Sequence, residues 1–79
     1  MKKLKRVYDA ARMLNGHTLE DAAAYVGKSQ SMIDQVLAGK VTSAPTTEAV
    51  ADYCYKAGLN HSLRKIGLDP EQKVEKASA

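Results

Sequence analysis

The chain contains no tryptophan, no phenylalanine and a single cysteine among its 79 residues. Cys54 alone forms no internal disulfide and has no partner for a cysteine-based metal site, so stability has to come from packing or oligomerisation. No apolar run is long enough to cross a membrane. The basic start MKKLKRVYDAARM is followed by neither a continuous apolar segment nor a small-residue cleavage site, so a secretory leader is not expected and a cytoplasmic location is. Enzyme signatures are missing as well. His17 and His61 have no HExxH spacing, no glycine-rich phosphate loop occurs, and Cys54 falls inside an apolar helical pattern, so neither catalysis nor a cofactor is expected. His17 reads as a turn residue. Strand-like alternation and internal repeats are also lacking.

What remains is a small helical domain. Hydrophobic residues make up 44% and charged residues 27% of the chain, a globular balance. The length suits one domain with a modest core. The net charge of +3 is unevenly spread. Residues 1–17 carry five basic side chains against Asp9, a net +4, whereas residues 18–40 carry −1 and the remainder cancels. A basic cluster near one end suits phosphate contact.

Periodicity and punctuation predict five helices. Leu4, Val7, Tyr8, Ala11 and Leu14 recur at three- and four-residue steps and form one apolar face that stops at Asn15-Gly16. Thr18 with Asp21 resembles a capping box, which starts a second helix at Leu19 that runs to about Val26. Gly27 makes the turn, Ser29 caps a third helix from Gln30 to about Leu37, and Gly39 ends it. After the polar loop VTSAPTT, Thr46 is expected to cap a fourth helix bearing Val50, Tyr53, Cys54 and Ala57, with Gly58 closing it. Asn60 is expected to cap a short fifth helix. Residues 69–79 form a tail, partly helical or frayed, behind a domain of residues 1–68. The fold class is therefore an all-α bundle of five helices.

Ala23, Gly27, Ile33 and Val36, followed by Gly39-Lys40 and Pro45, resemble the helix-turn-helix of the phage repressor and Cro family, the group also called xenobiotic-response-element regulators. The likeness covers about residues 4–68. Ala23 lets two helices cross closely, Gly27 turns the chain, and Ile33 and Val36 anchor the second motif helix. Two positions depart from the family pattern: Lys28 stands where an apolar residue is usual, and Ala22 where leucine is common. The resemblance implies a lambda-repressor-like bundle that docks its third helix in the major groove of double-stranded DNA.

On that docking, Ser29, Gln30, Ser31, Asp34 and Gln35 face outward because Ile33 and Val36 face inward. Glutamine pairs with adenine N6 and N7 in bidentate fashion, so Gln30 and Gln35 are the foremost base readers, with Ser31 reading a base or bracing a glutamine. Asp34 either accepts from cytosine N4 or pairs with a neighbouring cation. Thr18, Lys28 and Lys40 are the phosphate contacts, with Thr42, Ser43 and Arg6 as further candidates. One reading helix covers few base pairs, so a homodimer on a pseudo-palindromic operator is expected. Leu59, Leu63, Ile66 and Leu68 are the surface expected to form it. The sequence thus reads as a sequence-specific transcriptional regulator, a small Cro-like repressor acting by operator occupancy. The alternatives are a DNA-binding antitoxin or excision accessory protein and, from another class, a protein-interaction module of the same fold.

Overall fold

Glycines with positive φ at Gly16, Gly27, Gly39 and Gly58 separate the helices of this chain. A computed structural model describes residues 2–68, which form α1 (Lys2–Asn15), α2 (Leu19–Val26), α3 (Gln30–Leu37), α4 (Ala44–Lys56) and α5 (Asn60–Lys65). No strand occurs among the described residues, and the protein is an all-α bundle. The expectation for residues 69–79 lies outside the described residues.

The starts of α2 and α3 follow from local chemistry. Thr18 Oγ1 accepts the Asp21 amide proton at 3.1 Å, and Asp21 Oδ2 accepts the Thr18 amide proton at 3.1 Å, completing the capping box. Hydrogen bonds from the Thr18 amide and then the Thr18 side chain hold the Asp21 carboxyl below its ordinary pKa. Ser29 Oγ accepts the Met32 amide proton at 3.1 Å and caps α3. Between them Gly27 takes φ +79°, the left-handed conformation that lets its amide close back on Ala23 O at 2.9 Å.

Two expected caps are displaced. α4 begins at Ala44 with Ser43 as its cap, not Thr46, because Pro45 lacks an amide proton and fits the first turn, where none is needed. Thr46 thereby becomes a buried helical residue whose Oγ1 accepts from the Ser43 hydroxyl at 3.0 Å. α5 starts without a side-chain cap: Leu59 occupies the cap position and Asn60 is already helical. Leu59 is half-buried against the core, so apolar packing sets the entry into this short helix.

The core joins Leu4, Tyr8 and Ala11 of α1 to Ile33 and Leu37 of α3, with Val50 and Cys54 of α4 and Leu63 of α5. Ala22 and Ala23 are buried with them, and their small side chains let α2 approach closely. α4 touches all four other helices, most extensively α1. Leu14 does not belong to this face as expected: it is 66% exposed. It lies on the same edge of the apolar stripe as Val7, the least buried of the four inward α1 positions, and in the last turn the core no longer covers that edge.

The surface proposed for dimerisation also needs correction. Leu63 is fully buried within its own chain and presents nothing to a second copy, while Leu59, Ile66 and Leu68 are half-buried against the same core. With α5 only six residues long, these side chains close the bundle that the longer helices leave open.

Cys54 is fully buried, and burial pushes its thiol up to about 12. The reactive thiolate is therefore scarce at neutral pH. Iodoacetamide should leave the native protein unmodified, with labelling appearing only across the urea unfolding transition. Rapid alkylation of the native chain, followed by mass spectrometry, would show that the site opens locally.

Candidate nucleic-acid interface

Helix α3 has two unlike faces. Ile33, Val36 and Leu37 are buried, and on the other side Ser29, Ser31, Asp34 and Gln35 are exposed, while Gln30 is half-buried. Gln35 Nε2 donates to Ser31 Oγ one turn earlier at 3.3 Å. That bond restrains the long Gln35 side chain and leaves its amide oxygen and second amide proton for an outside group. Ser29 is committed differently: its oxygen holds the Met32 amide, and only its hydroxyl proton remains to donate. Met32, exposed between Ser31 and Ile33, adds an apolar side chain to this polar surface. From the sequence it reads instead as a packing residue that compensates for the small Ala22, because methionine in a helix ordinarily belongs to a core.

Asp34 enters no ion pair among the described residues, so the cation expected beside it is not there. Its charge is instead felt by Tyr8 of α1. Burial chiefly, and then the charges of Tyr53 and Asp34, push the Tyr8 phenol up to about 12.

The end of α3 ties its outer face to a lysine. Gly39 takes φ +77°, and the Lys40 amide donates back to Gln35 O at 2.9 Å. This closure of the last turn fixes the Lys40 backbone against the residue that carries the Gln35 amide. Lys40, Lys28 and Arg6 are exposed and enter no ion pair among the described residues. Thr42 is exposed as well.

Two other phosphate candidates are already engaged. The Ser43 hydroxyl donates to Thr46 and its oxygen caps α4, so it has no proton left for a phosphate, contrary to expectation. Thr18 uses its amide and its oxygen in the capping box. The Thr18 hydroxyl also donates to the Asp21 carboxylate, so only the first-turn amides of Leu19 and Glu20 remain, since the first amides of a helix have no partner within it. The side chains of Glu20 and Asp21 place two negative charges beside those amides.

A cluster that the sequence did not reveal lies where α1 hands over to α2. His17 Nδ1 and the Tyr53 hydroxyl are 2.8 Å apart, and the His17 ring stacks on Tyr25 at 4.5 Å and 22°. Arg12 Nη1 donates to His17 O at 3.2 Å, clamping the same residue from α1. His17 is thus more than a turn residue. Among the described residues no group of three or more His, Cys, Asp or Glu is arranged to hold a metal, and no helix is long and apolar enough to cross a membrane.

No protein-family model, curated protein or solved structure matches the chain.

Proposed function

We propose that this protein is a sequence-specific double-stranded DNA-binding regulator of the phage Cro and repressor type. It acts in the cytoplasm, as a homodimer on a pseudo-palindromic site, by occupying an operator. The observation that carries this reading is α3 itself: its inner face is locked by Ile33, Val36 and Leu37, and its outer face offers hydroxyl and amide groups. A helix held rigidly behind a left-handed glycine, with Gln35 braced by Ser31, suits readout of base edges. Lys28 and Lys40 flank that face and Arg6 extends the positive charge along α1, which suits phosphate contact.

The test is retardation of random and selected duplexes across a series of salt concentrations. Three phosphate contacts per protomer should give a slope of log affinity against log salt of roughly −3 per protomer. Selection from a random duplex pool should enrich a motif with two-fold symmetry. Lack of any duplex retention at low salt would sink the proposal.

A further inference from the structure

Beside the His17–Tyr53 pair lies a cleft of about 320 Å³ between the end of α1, the end of α2 and one face of α4. Its volume is at the lower end of the roughly 300–1,000 Å³ of small-molecule pockets, which restricts it to a compact ligand. Exposure separates its floor from its rim. Tyr53 is buried and His17, Val26 and Ala49 are half-buried, so the floor is two rings and two aliphatic groups. Asn15, Tyr25, Asp52 and Lys56 are exposed and form the rim.

Each part of this cleft has a chemical consequence. Tyr25 is 73% exposed, yet its ring is not adrift, because it stacks on a histidine that is itself held by Tyr53 and by Arg12. One face of a fixed aromatic ring is therefore offered to solvent. A second planar ring stacks there at little conformational cost. On α4, Lys56 Nζ and Asp52 Oδ2 pair at 3.1 Å, both well exposed. Such a pair is weak and opens readily for partners of the opposite sign. Set side by side on one helical turn, its two charges match a ligand bearing an ammonium and a carboxylate a few bonds apart.

We infer that this cleft binds a free aromatic α-amino acid, its ring against Tyr25 and the Val26–Ala49 floor, its ammonium on Asp52 and its carboxylate on Lys56. The site is independent of the duplex-binding reading and stands or falls alone. In a titration of the full chain followed by amide chemical shifts, L-phenylalanine and L-tryptophan should produce saturable changes centred on Tyr25, Val26, Ala49 and Asp52. L-leucine lacks the ring, whereas phenylacetate and phenethylamine each lack one charge, and all three should bind more weakly. Tyr25→Ala, at an exposed position, should retain the helical circular dichroism of the parent and bind L-phenylalanine roughly three- to tenfold more weakly. The inference is overturned by non-saturable or scattered shifts, by equal binding of any of the three controls, or by unaltered affinity in folded Tyr25→Ala.

Discussion

Replacing Ile33 with alanine should lower the unfolding free energy by about 2–5 kcal/mol, the range for an aliphatic side chain removed from a packed core. Ile33 is 1% exposed and belongs to the cluster that joins α3 to α1 and α4. The truncated methyl groups leave a void that neighbours on three helices fill only in part. Native domains of this kind hold about 5–15 kcal/mol in all, and a small one sits toward the low end. Urea unfolding followed by circular dichroism should therefore show a much lower midpoint at unchanged slope, or no cooperative transition. A loss below about 1 kcal/mol would mean that α3 shifts inward to close the gap and is not locked as described.

Two residues along the same helix the expectation reverses. Gln35→Ala should leave stability within about 0.5 kcal/mol of the parent, since the side chain is exposed and its one protein bond is to another exposed residue. On a selected duplex, however, it should erase preference at one base-pair position per half-site. A bidentate glutamine–adenine contact discriminates by about 1–3 kcal/mol, which is roughly 5- to 150-fold in affinity. Gln30→Ala should do the same at a neighbouring position. Its half-burial at the start of α3 gives that side chain less reach than Gln35. Lys40→Ala, by contrast, should weaken every duplex nearly equally and flatten the salt dependence by about one unit per protomer. Competition binding with single-base variants of the selected duplex separates these patterns. Uniform weakening by both glutamine variants would remove α3 from base readout.

The sequence was most legible where the determinants were local. Thr18, Asp21, Gly27 and Ser29 lie within twelve residues, and each acts on a backbone group within four residues of itself, so the bounds of α2 and α3 could be read directly. α4 was harder because two hydroxyl residues, Ser43 and Thr46, both suit a cap, and the choice turned on where Pro45 falls in the first turn. Depth was harder still. Leu63 and Ile66 share a helical face, yet Leu63 is fully buried and Ile66 only half so, a difference decided by α1 and α4 and not by α5. The His17–Tyr53 contact spans 36 residues and carries no periodic signal. Among the candidate site residues, types and facing could be read from α3, but the engagement of Ser43 with Thr46 could not, since it depended on that same displaced cap.

The central place of α4 bears on how the molecule comes apart. A helix in contact with all four others is not released without exposing the shared core. The segment from α2 to α3 borrows its rigidity from a helix that lies after it in the chain. The outward surface of α3 is complete only after Val50 and Cys54 have been synthesised and seated, which makes its shape a property of the whole domain.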